Sequence, residues 1–379
     1  MSSYHTPEKP KILLLTAGFG EGHNSAALNL KRALDPLARG MYVDPCAMGT
    51  PFFNRNLQSF YRGITTHAPW LWKKIYLSTE RQDFSKKRLP LMRKPERKLR
   101  EIIDQSRPQA IVSTYPLYPY FTERIFKRLK YSAPVFTVVT DSIEINAAWR
   151  KAPTDYWLVT DQLTRESMIE QGLPDNKIID IGFPVNPHFA DLATIPDNDP
   201  LDPFRILYFP TAKKPHVRRV SRELLGSEDD STTITIVLGR NFRKLYSRAQ
   251  EIKEQYPGRV TIKAWTSKVP ELINHHHLVV GKAGGATVHE ALAAACPMLI
   301  HHLVPGQEEG NLELLRRFNG GDLADQPGEL ATQLQSMLAN DAARWRSMKK
   351  DLTSRARPGA AHCAAQFILD SIQQQNTTG

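Results

Sequence analysis

The sequence predicts an α/β protein built from two doubly wound, Rossmann-like domains, on three observations. Short apolar, β-branched runs alternate with helical stretches along all 379 residues, as the strands and crossover helices of parallel βαβ units do. A proline- and aspartate-rich stretch, TIPDNDPLDP (194–203), breaks the alternation near the middle and reads as a linker. Glycine-rich turns follow a strand in each half, where the backbone must turn tightly into a helix. The length suits two such domains. Open parallel sheets bind ligands beyond the carboxyl ends of their strands, so the site is expected in a central cleft that the two domains face.

The expected order is an N-terminal domain (1–195), a linker (196–204), a C-terminal domain (205–345) and a helical tail (346–379) placed to pack back on the first domain. Strands are expected at 11–16, 41–43, 110–113, 135–140, 156–159 and 177–181 in the first half. In the second half they are expected at 205–209, 233–238, 260–264, 278–280 and 298–301. His275, His276 and His277 are consecutive and so cannot share one helix face, which favours a polar turn over a metal site. No short-period repeat is present.

Composition narrows the function. At 41% hydrophobic and 23% charged the chain is an ordinary globular one. It has no run of the roughly 18 apolar residues that a membrane span needs, and MSSYHTPEKP lacks a signal-peptide core. Cys46, Cys296 and Cys363 are too far apart to suggest a metal site or a disulfide framework. A cytoplasmic protein with reduced thiols is expected. The net charge of +11 has one main address: residues 51–100 hold thirteen Lys and Arg against three acids. Eight aromatics are interleaved there, including Trp70 and Trp72. Such a segment suits an anionic membrane surface or nucleic acid, and a solvated helix face over buried aromatics fits it too.

The first glycine turn, GFGEGH (18–23), departs from G-x-G-x-x-G, so a dinucleotide site there is weakly supported even with Asp44 after the next strand. His23 falls at the start of a helix, whose dipole favours a neutral imidazole. A neutral imidazole is a good general base for a hydroxyl; a capping or packing histidine fits this loop equally well. The second turn, LVVGKAGGATVHEAL (278–292), is sharper. Gly281, Gly284 and Gly285 precede a helix expected from about Thr287, whose free N–H groups form an anion site. Glu290 is placed either to accept ribose hydroxyls or, with Thr287, to close a capping box. In HHLVPGQEEGNLELL (301–315), Gln307, Glu308, Glu309 and Asn311 crowd another helix start. They suit the hydroxyls of a sugar, or simply an acidic helix end. An Asp-x-Asp, Asp197 to Asp199, lies in the linker with no strand before it and reads as a turn.

KAGGATVHEAL with VPGQEEGN resembles the donor half of the inverting GT-B glycosyltransferases that glycosylate membrane lipids. These include processive diacylglycerol glucosyltransferases, monogalactosyldiacylglycerol synthases and, more distantly, the peptidoglycan lipid-intermediate N-acetylglucosaminyltransferase. GFGEGHNSAALNL, STYP (113–116), TDSIEINAAW (140–149), IGFPVNPHF (181–189) and LGRN (238–241) have counterparts in the same order, so the resemblance covers nearly the whole chain.

The resemblance implies a GT-B fold and transfer of glucose or galactose from a UDP-sugar to a lipid hydroxyl, most simply diacylglycerol, without metal or further cofactor. It makes His23 the base, puts Asp141 in the cleft on the acceptor side as the next catalytic candidate, and puts Gly20, Gly22 and Asn146 on that side too. Gly284, Gly285, Ala286 and Thr287 become the diphosphate turn, Glu290 the ribose ligand, and Gln307, Glu308 and Asn311 the sugar contacts. The Trp265 segment would hold the uracil, with Arg240 nearby. Membrane contact would fall to Trp70, Trp72, Lys86, Lys87 and Arg88, making the protein peripheral on the inner face of the membrane. The chain departs from relatives at PTAKKPH (210–216), where they have a glycine-containing loop and Lys213 could meet the diphosphate instead. Asn146 stands where many have histidine, and Ala283 where many have proline. The alternatives are an N-acetylglucosamine transferase acting on a peptidoglycan lipid intermediate and a non-enzymatic polyanion binder. The absence of a nucleic-acid-binding motif argues against the second.

Overall fold

A computed structural model describes residues 8–18, 20–50, 63–64, 68, 70–71, 74, 78, 84, 90–226, 231–306 and 308–378. The chain divides into two compact units. One comprises residues 1–65, 74–187 and 359–379, the other residues 66–73 and 188–358.

The first unit is a six-stranded parallel sheet. Its strands are β1 (Lys11–Leu15), β2 (Arg39–Val43), β3 (Ala110–Ser113), β4 (Val135–Val138), β5 (Tyr156–Val159) and β6 (Ile178–Asp180), in the order β2-β1-β3-β4-β5-β6. β1, β3 and β4 are almost wholly buried, as strands covered on both faces by helices must be. The helices are α1 (Glu21–Leu34), α2 (Pro45–Gly49), α3 (Arg93–Ser106), α4 (Tyr118–Leu129), α5 (Ala147–Arg150) and α6 (Gln162–Glu170). α1 buries Ala26, Ala27, Leu30, Ala33 and Leu34 along one face. α6 is capped by Asp161, which accepts from the Thr164 N–H at 2.8 Å.

The second unit repeats the plan with β7 (Phe204–Tyr208), β8 (Thr232–Val237), β9 (Val260–Lys263), β10 (Leu278–Lys282), β11 (Met298–His302) and β12 (Gly321–Leu323), in the order β12-β11-β10-β7-β8-β9. Its helices are α7 (Lys214–Leu225), α8 (Phe242–Gln255), α9 (Val269–Asn274), α10 (Gly285–Ala293), α11 (Glu309–Arg317) and α12 (Glu329–Arg355), the last broken at residues 339–342. The final helix, α13 (Ala360–Thr378), belongs to the first unit. It packs on α1, and its Phe367 meets the Phe136 and Tyr156 rings edge-on.

The proline-rich stretch is tied to the second unit. Asp199 Oδ2 accepts from Arg205 at 3.1 Å and pairs with His277 Nε2 at 2.9 Å. The three histidines lie, as expected, in a turn, between α9 and β10, and His275 is exposed there. The turn is less polar in its surroundings than its composition suggests: His277 is fully buried, and His276 lies 2.9 Å from the Thr235 hydroxyl through Nε2. No described helix is long and apolar enough to cross a membrane. The three cysteines are free thiols, two of them buried.

Candidate functional site

Doubly wound sheets open a crevice where the strand order reverses. In the first unit the reversal lies between β1 and β3, and in the second between β7 and β10. Gly20, Gly22 and His23 follow β1, Lys213 follows β7, and Gly284 to Glu290 follow β10, while Asp141 and Asn146 follow the neighbouring β4 and the remaining donor-side candidates follow β8, β9 and β11.

In the first unit, Gly20 turns the chain into α1 at φ 132°, a conformation that favours glycine, and His23 follows in the first turn. Its carbonyl accepts from the Thr114 hydroxyl at 3.0 Å, which ties the α1 loop to the end of β3. Its ring is 8% exposed, with Nδ1 2.9 Å from the Thr140 hydroxyl beyond β4. Tyr115 meets the ring edge-on at 5.6 Å and Trp149 lies tilted against it at 5.8 Å. Burial lowers its pKa to about 4, against a backbone hydrogen bond at Thr114 that raises it. The imidazole is therefore neutral at pH 7, and the main cause is desolvation rather than the helix dipole.

Trp149 also donates its indole N–H to Asp141 Oδ2 at 2.8 Å. Burial raises the Asp141 carboxyl to about 6, partly offset by that bond. His23, Thr140, Asp141 and Trp149 thus form one connected group. Asn146 is buried and caps α5, accepting from the Ala148 N–H at 2.9 Å. Gly22 lies in the first turn of α1. Asp44 accepts from the Gly18 and Ala47 N–H groups and caps α2, a structural task that engages the acid a dinucleotide would need.

In the second unit, α10 begins at Gly285 behind Gly284 with no side-chain cap. The Thr287–Glu290 capping box is therefore absent: Thr287 is already in the first turn and Glu290 in the second. Glu290 is half-buried, and desolvation raises its carboxyl to about 7. Gly284 lies against the next turn, since a Cβ there would meet Lys282 Cε at 3.3 Å, Lys282 Nζ at 3.4 Å and Glu308 Oε1 at 3.7 Å. Lys282 Nζ bonds that same Glu308 Oε1 at 2.6 Å, and Glu308 Oε2 accepts from the Val304 N–H at 3.0 Å. Both Glu308 oxygens are engaged within the protein, bracing the two turns against each other.

Asn311 donates to the Ala283 carbonyl at 3.0 Å, and its Oδ1 is buried with no hydrogen-bond partner among the described residues. Lys213 caps α7 after β7, the exposed Arg240 lies in the turn after β8, and Trp265, 68% exposed, follows β9. Strand polarity thus brings Lys213, Arg240, Trp265, Gly284, Gly285, Ala286, Thr287, Glu290, Glu308 and Asn311 to one edge of one sheet.

Gln307, Trp72, Lys86, Lys87 and Arg88 lie outside the described residues. Trp70 is 62% exposed. Sequence reasoning passed over Lys282 as a single residue, and also Thr140 and Trp149, although TDSIEINAAW contains the latter two. Among the described residues, no group of three or more His, Cys, Asp or Glu is placed to hold a metal ion.

Comparison with known proteins accounts for both halves. Residues 23–185 match the family described as monogalactosyldiacylglycerol (MGDG) synthase. The chain is 22% identical over 395 residues to a processive diacylglycerol beta-glucosyltransferase of Bacillus thuringiensis, with 97% of this chain and 95% of that one covered. Among solved structures, Acinetobacter baumannii MurG superposes with a TM-score of 0.63 at 15% identity, over 95% of this chain and all of that one. Staphylococcus aureus MnaA, in a co-structure with UDP, superposes with a TM-score of 0.60 at 13% identity, over 97% of each chain. The chain thus has the GT-B fold and is a glycosyltransferase, similar over residues 23–185 to the monogalactosyldiacylglycerol synthases and over nearly its whole length to a processive diacylglycerol glucosyltransferase.

Proposed function

We propose that the protein transfers glucose or galactose from a UDP-sugar to the hydroxyl of diacylglycerol, with inversion at the anomeric carbon and without a metal. The observation that carries this reading is His23: a buried, neutral imidazole fixed through Nδ1 by Thr140, at the first residue of the matched family segment. The lipid oxygen attacks the anomeric carbon from the face opposite UDP, and its proton passes to His23. The bond from that carbon to the β-phosphate oxygen breaks, and its electron pair leaves on UDP. The free N–H groups at the start of α10, with Lys213, stabilise the charge that develops on the diphosphate. Glu290 accepts from the ribose hydroxyls, and Asn311 Oδ1 from a sugar hydroxyl.

The lipid substrate requires a membrane surface, which residues 51–100 meet with their basic charge. The reading also places the protein on the cytoplasmic face of the membrane as a peripheral enzyme. Incubation with UDP-glucose, UDP-galactose or UDP-N-acetylglucosamine and diacylglycerol in anionic liposomes should yield a monohexosyl lipid from one of the first two. Mass spectrometry and the anomeric proton coupling identify the product. Turnover only with UDP-N-acetylglucosamine and a peptidoglycan lipid intermediate would replace this reading by the other lipid-directed one.

The ribose assignment has its own test. Glu290→Gln should weaken UDP by about tenfold, the loss of a charge-assisted hydrogen bond. In the parent protein UDP affinity should rise with pH through about 7, where the carboxyl ionises, and the variant should lack this rise. Equal UDP affinity in both, measured by calorimetry, would remove Glu290 from the donor site.

A further inference from the structure

Helix α7 opens against the rule for helix ends. Its cap is Lys213, its first residue is Lys214, and no acid lies in its first turn, although the positive end of a helix favours negative charge. Lys214, Arg218 and Arg222 then follow at four-residue spacing, which stacks them on one face. Together with Pro215, Arg219 and Arg248 of α8 they line a groove of about 360 Å³ that contains no acidic residue.

Charge compensation around the groove is partial. Arg218 and Arg248 share one carboxylate, Glu251, at 2.8 and 2.6 Å. Arg222 meets the neutral side-chain oxygen of Gln255 at 3.3 Å. Arg219 donates to the Asp325 carbonyl at 2.8 Å and lies 3.8 Å from Glu223. Among the described residues, five cations thus face two carboxylates. Holding like charges this close is unfavourable in the empty protein, and a local rule broken in this way marks a binding surface more often than a folding one. Guanidinium forks match tetrahedral oxyanions two bonds at a time. The row from Lys214 to Arg222 spans about 12 Å at 1.5 Å per residue, more than one phosphate needs.

We propose that this groove binds linked or neighbouring phosphate groups, at a site separate from the donor turn at Gly284 and independent of the glycosyl-transfer reading. Phosphates of a soluble oligophosphate and phosphates of lipid headgroups share this chemistry, and two measurements on the full chain distinguish them. Calorimetric titration with tripolyphosphate at ~0.15 M salt tests the first source. Co-sedimentation with phosphatidylglycerol vesicles, against phosphatidylcholine vesicles, tests the second. Binding in either is expected to weaken about tenfold or more in Arg218→Gln/Arg222→Gln, as two charge-assisted contacts are lost. It should recover in part in Arg218→Lys/Arg222→Lys, which restores the charge but not the fork, and UDP affinity should be unchanged in both. If the glutamine pair lowers the melting temperature, Arg248→Gln serves as the second variant. Absence of binding in both measurements, equal binding by the glutamine variants, or displacement of tripolyphosphate by UDP would overturn the proposal.

Discussion

Replacing His23 by glutamine is expected to lower turnover by about 10²–10⁴-fold, the usual contribution of a general base, while leaving UDP affinity unchanged. Glutamine keeps a polar group within reach of the Thr140 hydroxyl that sits 2.9 Å from Nδ1, but it cannot take a proton at neutral pH. The UDP assignment lies on the second unit, whereas His23 lies on the first, so calorimetry with UDP separates a catalytic loss from a general one. The pH profile adds a second readout. With His23 as base, turnover at saturating donor falls only as the pH drops toward about 4, where the imidazole charges. A limb near 6 would point instead to Asp141. Near-normal turnover at saturating donor and lipid would exclude His23 as the base.

The second large effect concerns stability in acid. His23, His277, His289 and His301 are all buried. Desolvation lowers each, to about 4 for the first two and about 3 for the last two, from the ordinary 6.5. Between those values and 6.5 the unfolded chain binds more protons than the folded one, so stability rises with pH across that window and is lost as pH falls. Each such proton contributes at most about 1.4 kcal/mol per pH unit. Glu290 and Asp141 act in the opposite sense, because their raised carboxyls hold protons in the folded state up to about 7 and 6. His216, His276 and His302, lowered to about 4, act with the four buried histidines, and Asp44, raised by desolvation, acts with the two acids. Histidines thus outnumber acids and acidification costs stability on balance, by about a few kcal/mol, large beside the roughly 5–15 kcal/mol that holds a protein folded. The melting temperature should therefore drop steeply from pH 6.5 toward 4. His301 makes the sharpest test, since neither ring nitrogen has a hydrogen-bond partner among the described residues while Tyr208 meets it edge-on at 5.3 Å. His301→Phe keeps a ring there and removes the titration, so its melting curve should be flatter in acid. An unchanged acid slope would show that His301 does not carry the effect.

The sheets were legible because most parallel strands print as short apolar or β-branched runs, and eleven of the twelve strands contain one. The exception, β12, is the three residues Gly321–Leu323 at a sheet edge, half-buried throughout and with no apolar run. The glycine turns were legible because anion-binding helix starts have a fixed vocabulary. What the residues around them do was less so. Thr287 and Glu290 match the spacing of a capping box, and only the start of α10 at Gly285 shows that they do not form one. Glu308 reads as a sugar ligand by type, yet its oxygens brace Lys282 and the Val304 turn, contacts across 26 and 4 residues, the first of which local pattern cannot reveal. The histidines at 275–277 look alike in a row, yet only His277 is buried, and it is paired there with Asp199, 78 residues away. Long-range polar pairing is the part of this protein that periodicity does not encode.

The return of α13 to the first unit makes that unit depend on a segment far from it in sequence. Ala361, Ala364, Ala365 and Ile368 are buried there to within 1% of complete, and the helix packs on α1, whose first turn presents His23. A segment that follows the whole second unit in sequence is thus a keystone of the first. The first unit's apolar surface stays open until α13 has been made, while the sheet of the second unit, which needs nothing beyond residue 358, is already whole. Deleting α13 should leave the second sheet intact and strip packing from α1, the helix that carries His23.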